Sequence, residues 1–214
     1  VPPVGYLEKI REICTKHGFL LVFDEVITGF GRMGTAFATQ KFNVKPDIIT
    51  MAKALTNGAI PMGGVAVTDE IYNTVTDAAP EDAIEFFHGY TYSAHPAACA
   101  AGIATQKIYQ SEGLFERAAA LEDYFLDAVW TLQDHPLVTD VRGIGLMAGV
   151  ELVSDGVAGH RGVQMQKAMF WNGLHVKFTG DNAIIAPAFV AERKHVDEIV
   201  DKFRSSLDAA LEAG

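Results

Sequence analysis

One apolar run that ends in two acids constrains the fold of this chain more than any other stretch. Residues 19–23 read Phe-Leu-Leu-Val-Phe, and Asp24 and Glu25 follow directly. Such an unbroken run is typical of a parallel strand that is buried on both faces. A second strand-like run, residues 48–51, ends shortly before Lys53. Strands of this kind alternate here with helical segments, and this alternation predicts an α/β fold.

The two runs also predict the position of a ligand site. In an open α/β sheet, ligands bind outside the carboxyl ends of the strands. Asp24 and Lys53 follow such ends, 29 positions apart, so we expect them beside one crevice. Pyridoxal phosphate needs this pair, because a lysine holds it as a Schiff base while a carboxylate pairs with its protonated ring nitrogen. Burial in an apolar run would favour the uncharged, reactive lysine. The alternative is a solvent-facing acid and a surface lysine.

The other patterns indicate two domains, which we assign to residues 1–113 and 114–214. In the first, residues 6–17 have helical spacing before Gly18, and residues 63–68 read as a strand. In the second, residues 138–153 read as a strand pair. The segment 192–211 is the clearest amphipathic helix, with one apolar stripe that predicts packing into a core.

Four motifs in order resemble the class III aminotransferases. Phe-Asp-Glu-Val-Ile-Thr-Gly-Phe-Gly-Arg begins at Phe23, and Pro-Asp-Ile-Ile-Thr-Met-Ala-Lys ends at Lys53. Thr-Asn-Gly-Ala-Ile-Pro-Met-Gly-Gly begins at Thr56, and His-Gly-Tyr-Thr-Tyr-Ser-Ala-His-Pro begins at His88. The last two are similar to the omega-amino-acid–pyruvate (β-alanine–pyruvate) branch. Four motifs at compatible spacings are far more specific than a single glycine pattern.

This resemblance, which extends from about residue 5 to the C-terminus, implies both fold and activity. The fold would be the fold-type-I class of pyridoxal-phosphate enzymes. Residues 1–113 would form the later part of the large domain, with its mostly parallel sheet, and residues 114–214 the small domain. The activity would be amino transfer from an omega-amino acid or amine to pyruvate, with Lys53 as the catalytic lysine and Asp24 as the partner of the ring nitrogen.

The resemblance implies further binding residues. In this family the position of Val26 packs against one face of the cofactor ring, although an ordinary core valine explains it nearly as well. The position of Thr91 binds the phosphate of the neighbouring subunit's cofactor, which implies a homodimer or dimer-based tetramer with shared active sites. The alternative is a helix start at Pro96 in which Ser93 is the N-cap. Glu25 is expected to anchor the turn, with Arg32 as a candidate partner.

Lys177 is the expected substrate-binding residue. In the matching segment of this branch, the position is typically an arginine that grips the carboxylate of the amino acceptor. A lysine offers one mobile ammonium in place of a planar, two-pronged guanidinium. A surface lysine at a strand end is an equally good interpretation.

Composition excludes several classes of function. The chain has 214 residues, a formal net charge of −10 and 21% charged residues, which argues against nucleic acid or an anionic membrane as partner. No run approaches the roughly 20 apolar residues of a membrane helix. The two cysteines, Cys14 and Cys99, form no metal-binding spacing, and we expect a reduced, cytoplasmic protein without a metal.

Family members are about twice as long as this chain, which opens in mid-pattern at Val1. We therefore expect a C-terminal half that is incomplete for catalysis on its own. Two alternatives remain for the function. One is another class III enzyme, such as a taurine or diamine transaminase or an aminomutase. The other is an inactive truncated chain that serves only as a dimerising module.

Overall fold

The structure, a computed structural model, describes residues 1–212. The chain divides into two compact units. The N-terminal unit comprises Pro2–Gly31 and Thr35–Gly113, and the C-terminal unit comprises Val1, Arg32–Gly34 and Leu114–Gly214. The expected roles of these parts as the large and small domains of an enzyme stay a prediction. Within the described residues, every helix is too short or too polar to cross a membrane.

The N-terminal unit contains four α-helices and three strands within its described residues. They are α1 (Tyr6–His17), β1 (Val22–Asp24), α2 (Ala38–Phe42), β2 (Ile48–Met51), β3 (Gly64–Val67), α3 (Asp69–Asp77) and α4 (Pro96–Ser111). Helix α1 has the bounds that its sequence predicts. It ends because Gly18 adopts a left-handed conformation, at φ 68°, and its amide bonds back to the last turn.

The three strands of this unit form one sheet in the order β1-β2-β3. Strands β1 and β2 run parallel, with Val22 opposite Ile48 and Asp24 opposite Thr50. Strand β3 returns antiparallel to β2. The parallel pair agrees with the expected α/β architecture, and it sends the carboxyl ends of β1 and β2 to the same edge of the sheet.

The burial expected for the first apolar run is wrong for this chain. Leu21 is buried, but Phe19, Leu20 and Val22 are 61%, 59% and 51% exposed. Strand β1 is also shorter than the run, since it begins only at Val22. The reason is that β1 is an edge strand, and the described residues of its unit leave much of both faces uncovered.

The C-terminal unit contains three α-helices and four strands within its described residues. They are α5 (Leu114–Trp130), β4 (Val138–Ile144), β5 (Met147–Leu152), α6 (His160–Trp171), β6 (Lys177–Thr179), β7 (Asn182–Ile185) and α7 (Arg193–Glu212). The strands form an antiparallel sheet in the order β4-β5-β7-β6. The predicted strand pair of residues 138–153 is therefore confirmed as β4 and β5.

A continuous core joins this second sheet to its helices. Strands β5 and β7 alternate buried and less buried residues, as an antiparallel sheet with one covered face does. From α5 and α7, Phe125 and Phe203 enter the core and are completely buried. The predicted stripe of α7 is confirmed at Val196, Phe203 and Leu207, whereas Leu211 near the end of the helix is 46% exposed.

The short segment Arg32–Gly34 belongs to the C-terminal unit and is tied to its sheet. The Arg32 guanidinium donates to the carbonyl oxygens of Leu146 (3.0 Å) and Pro187 (2.7 Å), and it lies over the Phe189 ring. The Leu146 amide donates to the Arg32 carbonyl at 2.9 Å. Gly145 turns the chain between β4 and β5 at φ 59°, and a Cβ there would overlap the Arg32 carbonyl.

Candidate active site

Asp24 lies where the pairing of β1 and β2 predicts, at the carboxyl end of β1. Its carboxylate is exposed, and Oδ1 accepts two hydrogen bonds, from the Val26 amide (3.1 Å) and from the Thr50 hydroxyl on β2 (3.3 Å). Both donors approach the same oxygen, so they orient the carboxylate and leave Oδ2 with capacity for a further donor. The contact with Thr50 follows from the register of β1 and β2, which a pattern within one segment does not predict.

Lys53 follows β2 at the same sheet edge and opens a short 3₁₀ turn, Lys53–Leu55. Its φ is 46°, an uncommon value for a residue other than glycine. The side chain is exposed, so the burial expected for this lysine is wrong for this chain. The expected common edge of Asp24 and Lys53 is confirmed by the parallel register of their strands.

The acid next to Asp24 has a different task. Glu25 is 1% exposed, and its carboxylate accepts hydrogen bonds from the Thr28 hydroxyl (2.5 Å) and from the amides of Ala38 and Thr39 (2.9 Å each). Those amides belong to the first turn of α2, where a carboxylate also meets the positive end of the helix dipole. The expectation that Glu25 anchors the turn is confirmed. Successive strand residues point to opposite faces, which explains why one acid is buried and its neighbour is not.

Val26 is half-buried directly after β1, and the amide that binds Asp24 is its own. Its expected packing against a cofactor ring stays a prediction, as does the cofactor role of Asp24 and Lys53. A half-buried valine at this position suits both an apolar ring and ordinary packing.

Thr91 lines an open cavity of about 470 Å³ in the N-terminal unit. The other lining residues come from two loops and the start of α4: Ile60, Pro61, Met62, Gly63, Gly89, Tyr92, Ser93, Ala94, His95 and Ala98. Thr91 is exposed there, so its hydroxyl is accessible to a ligand. The alternative assignment of Ser93 as N-cap is wrong, because α4 begins at Pro96 and its N-cap is His95, without a side-chain capping bond.

Lys177 is the first residue of β6, an edge strand of the second sheet, where it pairs with Ile184 of β7. Its side chain is exposed. An exposed ammonium can receive a carboxylate, so the position is compatible with the expected role, which stays a prediction.

The described residues contain no group of three or more His, Cys, Asp or Glu side chains that could hold a metal ion. Cys14 and Cys99 are free thiols. A second open cavity, of about 530 Å³, is lined by Asp47 and Thr68, at the edge of the sheet away from Lys53. The polar groups at the carboxyl ends of β1 and β2 are therefore the candidate site in this sheet.

Comparison with known proteins identifies the class of protein that carries these groups. The profile of the family described as aminotransferase class-III matches residues 1–207. This chain therefore belongs to the class-III aminotransferase family, whose members depend on pyridoxal phosphate. The resemblance that the motifs carry is confirmed.

The individual relatives are named aminotransferases. The chain is 50% identical to the omega-aminotransferase of Caulobacter vibrioides over 208 residues, which are 97% of this chain and 47% of that protein. It is 43% identical to the beta-alanine–pyruvate aminotransferase of Pseudomonas aeruginosa over 210 residues, again 97% of this chain and 47% of that protein. The chain thus spans about half the length of the curated relatives it matches.

Solved structures agree on the fold. The (S)-enantioselective omega-transaminase from Thermomicrobium roseum superposes with a TM-score of 0.91 at 40% identity, over 99% of this chain and 48% of that one. A transaminase described with L-alanine reaches a TM-score of 0.95 at 31% identity, over 100% of this chain and 52% of that one. The expected fold-type-I α/β class is confirmed.

The residues at the sheet edge fit the family's cofactor chemically. Pyridoxal phosphate needs an amine that forms a Schiff base with its aldehyde, and a carboxylate that pairs with its ring nitrogen. Lys53 supplies an accessible amine, and Asp24 supplies a carboxylate whose Oδ1 is already held by Val26 and Thr50. The orientation of Asp24 exists before any ligand binds, which lowers the entropic cost of binding.

Proposed function

We propose that the whole protein transfers an amino group from an omega-amino acid or amine to pyruvate, with pyridoxal phosphate as cofactor. The observation that carries this proposal is the parallel register of β1 and β2, with Asp24 and Lys53 at the carboxyl ends. Relatives named omega-aminotransferase and beta-alanine–pyruvate aminotransferase support the reaction and the acceptor. Because the chain spans about half their length, the activity is assigned to the whole protein and only these groups to this chain.

Lys53 and Asp24 have different roles in the proposed reaction. The Lys53 amine would hold the cofactor, and its Nζ atom, once free, would carry the proton of the substrate's Cα. Asp24 holds the proton on the ring nitrogen through the oxygen that Val26 and Thr50 leave open. When bound, pyridoxal phosphate accepts the electron pair of the broken C–H bond and stores the amino group between half-reactions. Ping-pong kinetics follow from that storage.

Three further residues complete the proposal. Val26 packs against one face of the ring, and the Thr91 hydroxyl binds the phosphate of the neighbouring subunit's cofactor. The active unit is therefore a homodimer or a dimer-based tetramer, in the cytoplasm. Lys177 binds the carboxylate of pyruvate and of the acidic amino donor. The family motifs and the exposure of Thr91 and Lys177 support these roles.

A diamine donor is the second candidate. The putrescine–pyruvate aminotransferase of Pseudomonas aeruginosa is 40% identical over 220 residues, which are 100% of this chain and 47% of that protein. Half-reactions separate the two, because each donor is offered alone and conversion of the cofactor to its amine form is followed by absorbance. Faster conversion by β-alanine supports an omega-amino acid as the natural amino donor, and faster conversion by putrescine supports a diamine.

The test of the cofactor assignment is reductive trapping. The protein is incubated with pyridoxal phosphate, reduced with borohydride, digested and mapped by mass spectrometry. We expect the adduct on Lys53, its loss in Lys53→Ala, and its retention in Lys45→Ala, a control lysine before the other end of β2. Transamination by the whole protein should fall at least 10²–10⁴-fold in Lys53→Ala, roughly the range for loss of a positioned proton-transfer group. An adduct that persists at an equal level in Lys53→Ala would contradict the assignment.

A further inference from the structure

The turn that begins at Lys53 has a conformation that needs support from elsewhere in the N-terminal unit. Lys53 has a φ of 46°, in the left-handed region that residues with a Cβ rarely adopt. Such strain persists only where the surrounding structure holds it in place. Within the turn, the amides of Thr56 (3.2 Å) and Gly58 (3.1 Å) donate to the Lys53 carbonyl. The Thr56 bond is a 3₁₀-type contact, which has poorer geometry than an α-helical bond, and the Gly58 bond closes a loop of five residues. A second source of support is therefore expected.

Helix α4 provides that support through two side chains one turn apart. The Tyr109 hydroxyl donates to the Ala54 carbonyl at 2.7 Å, and Tyr109 itself is 5% exposed. The Gln106 amide nitrogen donates to the Leu55 carbonyl at 3.3 Å. Both acceptors belong to the 3₁₀ turn and directly follow Lys53 in the chain. The turn is thus bonded to a 16-residue helix rather than left as a free loop.

Close packing between the same helix and turn accompanies these bonds. A Cβ on Gly102, in α4, would lie 3.7 Å from the Leu55 carbonyl oxygen and 3.9 Å from the Thr56 side chain. Thr56 is 1% exposed, and its hydroxyl donates to the Ile60 carbonyl at 2.6 Å. The backbone after Lys53 is therefore fixed on two sides, by α4 and by its own loop.

We propose that Tyr109, assisted by Gln106, is a positioning residue for Lys53: its buried hydroxyl holds the strained turn that presents the amine. The role of Lys53 itself rests on the proposed function. The tie between α4 and the turn does not depend on it. Tyr109 reaches the turn through the Ala54 carbonyl, so loss of its hydroxyl should loosen the turn without removing any group that reacts.

The first test follows hydrogen exchange in the cofactor-free protein. In Tyr109→Phe the ring remains and only the hydroxyl is lost, so we expect peptides spanning residues 53–59 to lose about fivefold in protection, from the typical worth of one hydrogen bond. The double variant Tyr109→Phe/Gln106→Met should lose at least about tenfold, because both donors are gone. The matched control is Tyr124→Phe, whose hydroxyl bonds Asp197 in the C-terminal unit. That control should leave the protection of residues 53–59 unchanged.

If Tyr109→Phe fails to fold, Gln106→Met alone still tests the tie, because Gln106 is only half-buried and donates to the next carbonyl. Wild-type protection of residues 53–59 in both Tyr109→Phe and Gln106→Met would overturn the proposal. Loss of protection throughout α1 as well would also overturn it, since the hydroxyl would then be a general structural element of the unit.

The second test measures the positioning of the amine. Borohydride trapping with pyridoxal phosphate should form the Lys53 adduct about fivefold more slowly in Tyr109→Phe, the same factor as the loss of protection. Adducts on Lys45 should form at the wild-type rate. Reduced protection with unchanged Lys53 trapping would overturn the positioning role. A wild-type protein that forms no Lys53 adduct would overturn the proposed function, while the exchange data would still decide whether the tie exists.

Discussion

The two sheets of this chain are built from similar apolar residues but end in opposite environments. In the C-terminal unit, Val150 and Ile185 are 0% and 3% exposed, inside a core that α5, α6 and α7 share. In the N-terminal unit, Val65 and Val22, which have the same kind of side chain, are 66% and 51% exposed. The sheet of β4–β7 holds the C-terminal unit together. The sheet of β1–β3 presents an open platform with polar groups at one edge.

The difference shows what a strand's residues can and cannot specify. An apolar run favours a strand wherever it lies, but it becomes a core only if other elements cover it. The candidate cofactor residues Asp24 and Lys53 belong to the sheet with less burial. Of the two, Asp24 is oriented by the bonds from the Val26 amide and the Thr50 hydroxyl. The following predictions test this contrast, from the largest expected effect to the smallest.

Truncation of a core side chain should distinguish the two sheets most strongly. Phe203→Ala removes a completely buried ring and should cost about 3–5 kcal/mol in the free energy of unfolding of the C-terminal unit. Trp130 and Trp171 both lie in that unit, so tryptophan fluorescence in urea measures it. The matched change on the exposed sheet, Val65→Ala, should cost less than about 1 kcal/mol by hydrogen exchange of its unit. Comparable costs would show that the faces of the first sheet are covered in solution.

Replacement of the exposed acid should change chemistry and leave stability alone. Asp24→Asn keeps the shape but cannot hold the ring nitrogen protonated, so the barrier to amino transfer by the whole protein should rise by about 3 kcal/mol. The free energy of unfolding should change little, because Asp24 is exposed. Steady-state kinetics and urea unfolding measure the two effects. A variant with near-normal turnover would mean that this carboxylate is only structural.

Lys177 differs from Asp24 and Lys53, because it is a proposed binding residue that lies in the well-packed C-terminal unit. If it binds the carboxylate, Lys177→Arg should tighten pyruvate and β-alanine by about tenfold, or 1–2 kcal/mol, since a second charge-assisted bond forms. Lys177→Ala should weaken both acids and spare an amine donor without a carboxylate. The effect should appear in KM, because the contact is uniform through the reaction. Equal effects on acids and plain amines would show that Lys177 does not bind the substrate carboxylate.

The smallest effect is a pH dependence in the N-terminal unit. The Leu21 amide (2.6 Å) and the Arg11 guanidinium (2.7 Å) bind Asp47 and hold the pKa of its carboxyl below the ordinary value of 3.8. Because the folded pKa is the lower one, this contribution is present above about pH 4 and is lost as the pH falls through the folded pKa. Asp47→Asn should cost about 1 kcal/mol at neutral pH and remove that acid dependence. Parallel acid-unfolding curves for the variant and the wild type would contradict the prediction.

Local pattern predicted most of the secondary structure. Helix α1 has the predicted bounds because apolar spacing and a C-terminal glycine both act within a few residues. The start of α4 was harder. Ser93 is a good N-cap by type, yet the helix begins after His95, because Pro96 fits the first helical position without an amide. Local residue preferences therefore predict a helix start to within a few residues but do not always identify the N-cap residue.

The sequence by itself determined the family, predicted several of the helices and strands, and indicated Asp24 and Lys53 as a candidate pair, because motif order and strand-end chemistry are local properties. Only the tertiary structure decided which atoms hold those two residues. Thr50 reaches Asp24 through the register of two strands, and Tyr109 reaches the Lys53 turn from a helix 55 positions beyond Ala54. Such contacts join distant parts of the chain, so no periodicity within one segment predicts them.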